Sequence, residues 1–106
     1  MVEVGTLYLG TNVPGTEGWT LAEPLQSGDY RSYRSRDIKF TKPFTRNPRI
    51  VVSIAGFETS NYHDGRMFIK VLPEDIQPDE FTISVVTRGY LEISELAITW
   101  IATDGA

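Results

Sequence analysis

The longest apolar run in the chain, Ile50-Val51-Val52-Ser53-Ile54-Ala55, constrains the fold more than any other stretch. It is β-branched almost throughout, so its side chains are stiff at χ1 and pack well on a pleated surface. The run predicts a strand inside a sheet. Gly56 and the polar loop from Glu58 to Gly65 end it, and Arg66 stands where the next strand should begin. A strand that delivers a polar loop and then an arginine is a scaffold presenting a binding group.

The rest of the chain repeats this pattern. No segment carries a sustained 3.6-residue period, whereas period-two runs recur between Gly and Pro breakers. Val4 to Leu9 reads as a first strand, followed by a loop from Gly10 to Gly18 and by the apolar pair Trp19 and Leu21. After a second loop, Glu23 to Asp29, the stretch Tyr30 to Thr41 reads as one strand, with Tyr33, Ile38 and Phe40 on an apolar face. Pro43 to Pro48 is a turn, since neither proline can donate to a ladder. Strands follow at Ile50–Ala55, Met67–Leu72, Phe81–Thr87 and Ile93–Ala102, with an acidic connection from Pro73 to Glu80.

Six strands on short connections, with no helix, predict an all-β chain: a six-stranded antiparallel β-sandwich. At 106 residues the chain suffices for a single domain, 1–106, with one core. The third and sixth strands are apolar on both faces, although one face of a small antiparallel sheet normally meets water. The second apolar face predicts cover by another subunit.

Composition excludes several function classes. No cysteine is present, so disulfides, thiolate metal sites and cysteine nucleophiles are ruled out. No run of about 18 apolar residues predicts membrane insertion. The opening MVEVGTLYLG has neither the basic start nor the apolar length of a signal peptide. Fourteen acidic against ten basic residues give a net charge of -4, which opposes nucleic-acid binding. The run from Tyr30 to Arg36 interleaves tyrosines and arginines as a single-strand binder does. On a strand, however, alternate residues face opposite ways, so these arginines form no single patch. Subunit contacts with carboxylates suit some of them better.

The order Gly18-Trp19, Ile38-x-Phe40-x-x-Pro43-Phe44, then Pro48 to Ile54 resembles the H-type lectin domain of snail agglutinins and of the discoidin C-terminal domain. The resemblance continues through Arg66, the connection from Asp75-Ile76 to Phe81, and Ile98-Thr99-Trp100-Ile101. It covers residues 18 to 102. It implies a trimer of parallel protomers that binds N-acetylgalactosamine or related galactose-type glycans in a groove between neighbours. It also implies extracellular, virion or cell-surface exposure.

Matched position by position, the resemblance puts Ser27 and Asp29 where the family binds sugar hydroxyls, and Arg66 on its sugar-contacting arginine. The family's aromatic and histidine fall on Arg88 and Gly89, and a further tyrosine on Ser94. Tyr90 is the aromatic that a one-residue slip of that loop would bring into place. The carbohydrate-binding set is therefore Ser27, Asp29, Arg66, Arg88 and Tyr90. A second guanidinium in place of an aromatic platform shifts the expected ligand toward anionic sugars, uronic or sialic acids.

No catalysis, metal or cofactor is expected. His63 beside Asp64 has no nucleophile partner, and no G-x-S-x-G occurs. Glu74-Asp75 and Asp79-Glu80 lack the alternating spacing of a calcium loop and read as solvated turns. The competing function is a trimerisation or attachment domain, as in a surface or phage-type fibre, that binds no sugar.

Overall fold

The computed structural model describes residues 1–23, 29–61, 68–88 and 91–105. These residues form β1 (Val2–Gly10), β2 (Tyr30–Arg34), β3 (Ile38–Lys39), β4 (Arg49–Asn61), β5 (Ile69–Glu74), β6 (Glu80–Arg88) and β7 (Glu92–Thr103). Every pairing is antiparallel. One sheet has the order β1-β7-β4; in the other, β6 is flanked by β2 and β3 on one edge and by β5 on the other. Among the described residues, no helix is long and apolar enough to cross a membrane.

The strand count is seven rather than six because the stretch Tyr30–Thr41 breaks in two. β2 pairs Tyr30 to Arg34 with Arg88 to Ser84, and β3 resumes on the same edge with Ile38 opposite Phe81. Ser35 bridges the interruption. Its N–H donates to the Ile83 carbonyl at 2.8 Å, and its Oγ accepts the Ile83 N–H at 2.9 Å. A side chain thus replaces a carbonyl in the ladder, and the chain leaves the sheet without orphaning a buried donor. The break also explains how Tyr33 and Ile38, five apart, can both lean on the core.

The Ile50–Ala55 run lies at a sheet edge and not inside a sheet; the middle strands are β6 and β7. Ile50 is buried, but Val51, Ser53 and Ala55 are exposed. A β-branched sequence favours extended backbone wherever the strand sits, so composition alone does not separate edge from centre. Register shifts between Ile54 and Gly56 and again beyond Glu58 bend the far half of β4.

The core lies between the sheets. β7 contributes Ile93, Leu96, Ile98, Trp100 and Ala102, and β6 contributes Phe81, Ile83 and Val85, the inward set expected of that strand. At one end the rings of Phe40, Phe44, Phe81 and Trp100 meet at centroid separations of 5.0 to 6.0 Å. Gly5 makes room for the indole: a Cβ there would lie 2.5 Å from a Trp100 ring carbon. Toward the other end, the loop after β1 lays Trp19 and Leu21 on the core. The Trp19 indole N–H donates to the Ile93 carbonyl at 2.9 Å, and the Ile93 N–H donates to the Leu21 carbonyl at 2.8 Å.

The outer face of the β1-β7-β4 sheet is exposed and apolar. Val4 and Val51 flank Ile101 across the three strands, at 65%, 60% and 46% exposure. Tyr8 and Val2 extend the patch along β1.

Replacing Ser35 by Ala removes the acceptor of the buried Ile83 N–H. The expected loss is about 1–3 kcal/mol, the cost of an unsatisfied buried donor. Urea unfolding should show a lower midpoint with an unchanged slope.

Candidate functional site

β6 ends, β2 begins and β5 begins at the same end of the sandwich. Tyr30, the first residue of β2, is registered opposite Arg88, the last of β6. On the other side of β6, Ile69 opposes Thr87, which puts Phe68 level with Arg88. Asp29 immediately precedes Tyr30 and is exposed. Two of the five residues expected in the site, Asp29 and Arg88, thus lie at this end, Asp29 one position before the cross-strand partner of Arg88. Ser27, Arg66 and Tyr90 lie outside the described residues, as do Gly89, His63 and Asp64.

An aromatic pair that the sequence did not reveal stands beside them. The Tyr30 and Phe68 rings meet edge to face at 5.5 Å, and the Arg88 guanidinium carbon lies 5.3 Å from the Tyr30 ring centroid. Tyr30 is 59% exposed and Phe68 39%. The only signal in the sequence is parity. Tyr30 alternates with Ser32 and Arg34, and Phe68 with Lys70, on the polar side of each strand.

Beneath this surface Arg31 points the other way, into the sandwich. Its guanidinium donates to the carbonyls of Thr20 and Leu21 at 3.1 Å and of Leu91 at 3.0 Å. Thr20 and Leu21 belong to the segment before β2, and Leu91 to the connection between β6 and β7. One side chain therefore fastens the stems of the segments that carry Asp29 and Arg88. Burial pulls the Arg31 guanidinium below its ordinary value, while the Glu23 and Glu92 carboxylates push it back up. An arginine keeps its charge through such a shift. Arg31 Nε, Thr87 Oγ1 and Glu92 Oε2 are also buried here, without protein hydrogen bonds. This end of the interior is polar, whereas the Phe40–Trp100 end is not.

The other arginines of the Tyr30–Arg36 run disperse, as the alternation requires. Arg34 reaches across β6 to Glu74 at 3.0 Å and Asp75 at 2.7 Å. Its partners lie in its own chain, so the expected role at a subunit contact does not apply to Arg34. Arg36 donates to the Gly15 carbonyl at 3.2 Å.

Ser94, which takes the place of the family's tyrosine, lies on the other sheet. Its hydroxyl donates to Glu58, at 3.2 Å to the carbonyl and 3.1 Å to the carboxylate. A groove of about 250 Å³ opens alongside, lined by Tyr8, Gly56, Phe57, Glu58, Glu95, Leu96 and Ala97. Glu58 and Glu95 are directly opposed across β4 and β7. Two facing carboxylates repel an anion, so the groove and the Arg88 end differ in charge preference. Among the described residues, no group of three or more His, Asp or Glu is placed to hold a metal ion.

The family model of the H-type lectin domain matches residues 35–103, more than half of the chain. The chain belongs to the H-type lectin domain family. A protein of Fuscovulum blasticum described as ORF 7 of the ATP synthase subunits region is 32% identical over 88 residues. That match covers 83% of this chain and 69% of the relative. Among solved structures, recombinant discoidin II of Dictyostelium discoideum superposes with a TM-score of 0.74 at 20% identity, over 96% of this chain. A structure of the wild-type discoidin II gives the same score and identity. At that identity the likeness concerns the fold, and this chain spans about a third of discoidin II, 36% and 35% in the two structures.

Arg31→Met keeps the stem but removes three charge-assisted hydrogen bonds; the Thr20 and Leu21 carbonyls retain the Glu23 and Ile93 N–H groups, while Leu91 loses the guanidinium donor. The expected loss is at least about 1.5 kcal/mol, the lower end for one hydrogen bond to a charged group. Urea unfolding should report it, and amide exchange should quicken at Leu21 and Ile93 before it quickens at Phe81.

Proposed function

We propose that the protein is a non-enzymatic glycan-binding domain that acts through the end of the sandwich bearing Asp29 and Arg88. The observation that carries this reading is the register of Tyr30 against Arg88, in a chain of the H-type lectin family. That register puts the exposed Arg88 at the end of β6 opposite the first residue of β2, one position after the exposed Asp29. A carboxylate accepts from sugar hydroxyls, and a guanidinium donates two parallel hydrogen bonds. Ser27, Arg66 and Tyr90 complete the proposed set.

Three copies assemble in this reading, with the outer face of the β1-β7-β4 sheet as their contact. Its support is the exposed row Val4, Ile101 and Val51, with Tyr8 beside it, which a lone protomer would leave in water. Association also suits the alternative of an attachment domain without sugar binding, but that alternative assigns nothing to the Asp29–Arg88 rim. Exposure at a cell or virion surface accords with glycan binding.

The preferred glycan is anionic. The proposed set counts two guanidinium groups, Arg66 and Arg88, to one carboxylate, Asp29, in a chain of net charge -4. Galactose-type recognition is the neutral counterpart. No metal takes part, because Gly89 offers no side-chain ligand where the family has a histidine.

Arg66→Ala should abolish most binding on a glycan array. One charge-assisted bond is worth about 1.5–3 kcal/mol, or about 10- to 150-fold in affinity. Arg88→Ala should instead shift the preference toward neutral sugars and flatten the salt dependence. Unchanged ligands and affinities in both variants would overturn the site. Sedimentation at micromolar concentration should give three protomers, before and after dialysis against EDTA. A monomer, or dissociation by EDTA, would contradict the proposed assembly.

A further inference from the structure

We propose that Tyr30, Phe68 and Lys70, on the outer face of the β2-β6-β5 sheet, form a subsite for an acidic sugar residue. The inference rests on the glycan-binding reading and adds residues that reading does not use. Cross-strand register puts the face in rows. Tyr30, Arg88 and Phe68 make the first; Ser32, Val86 and Lys70 make the second. The rows are about 7 Å apart, two residues of extended chain, a span that the lysine stem can bridge.

Each row contributes a different chemistry. In the first, two exposed rings meet at 5.5 Å, and one of them also lies under the Arg88 guanidinium. Exposed rings held by their neighbours offer an apolar surface at little further entropic cost, which suits the C–H face of a pyranose. In the second, Lys70 is exposed and makes no ion pair with a described residue, and Ser32 presents a hydroxyl. A compact ammonium beside an apolar ring face matches a sugar that bears a carboxylate.

The third row bounds the subsite. There Arg34 is held by Glu74 and Asp75 across β6, and these two carboxylates bar an anion from moving further along the sheet. The groove at Glu58 and Glu95 bars it from the other sheet in the same way. Arg88 and Lys70 lie in the two rows that also hold the rings.

The test compares the full chain with Lys70→Gln and Phe68→Ala. The probes are oligosaccharides ending in glucuronate, galacturonate or sialate, beside ones ending in N-acetylgalactosamine, read by titration calorimetry at two salt concentrations. Lys70→Gln should weaken the acidic probes at least about tenfold, the worth of one charge-assisted hydrogen bond, and leave the neutral ones unchanged. Phe68→Ala should weaken both sets, with sedimentation as in the parent. If the parent binds acidic probes and Lys70→Gln binds them equally well, the subsite is wrong while the lectin reading stands. If the parent binds only neutral probes, the acidic assignment falls. If it binds none, the lectin reading falls and takes the subsite with it. A Phe68→Ala variant that binds as the parent but no longer assembles would assign the rings to a protomer contact and overturn the subsite.

Discussion

One guanidinium decides how this sandwich ends. Arg31 leaves β2 on its inner face and donates to carbonyls on both sides of the polar end, Thr20 and Leu21 before β2 and Leu91 after β6. The backbone there is irregular, and buried irregular backbone must find partners outside a ladder. Because one side chain supplies a donor to all three carbonyls, the segments carrying Asp29 and Arg88 share a common anchor. The remaining features of the rim follow from register: Tyr30 opposite Arg88, Phe68 level with both, Lys70 one row below.

The two ends of the molecule differ in character. At one, Phe40, Phe44, Phe81 and Trp100 pack ring against ring around the space that Gly5 leaves open. The ring cluster gains from apolar burial. At the other, charged and hydroxyl groups enter the interior, and their desolvation is a cost. A core stable at one end can carry a less stable, polar rim at the other, where ligand-binding segments usually lie.

Alternation of apolar and polar residues makes much of this fold legible in the amino-acid sequence. The period-two runs predict β1, β6 and β7, and the inward set Phe81, Ile83 and Val85 follows directly from them, whereas β4 runs on to Asn61 through residues that read as a polar loop. The apolar second face of the Ile50–Ala55 and Leu96–Ile101 segments is legible as well, and Val51 and Ile101 lie exposed on it. The interruption at Ser35 is not, because a hydroxyl that mimics a ladder carbonyl leaves no periodic trace. Nor is the edge position of β4, since pairing partners are long-range and composition is the same either way. The inward turn of Arg31 has a faint signal in its shared parity with Tyr33, outweighed by the rule that arginines face solvent. Of the expected site, only Asp29 and Arg88 fall among the described residues. The ring pair shows in the sequence only as parity, because its two members belong to segments brought together through β6.

The proposed ligand surface is the Asp29–Arg88 rim of the β2-β6-β5 sheet. Amide chemical-shift mapping of the full chain, titrated with a sialate- or uronate-terminated oligosaccharide, tests it most directly. The account predicts saturable shifts at Asp29, Tyr30, Phe68, Lys70 and Arg88, with Val51 and Ile101 unmoved. Shifts centred on Glu58 and Glu95, or none anywhere at millimolar ligand, would contradict it.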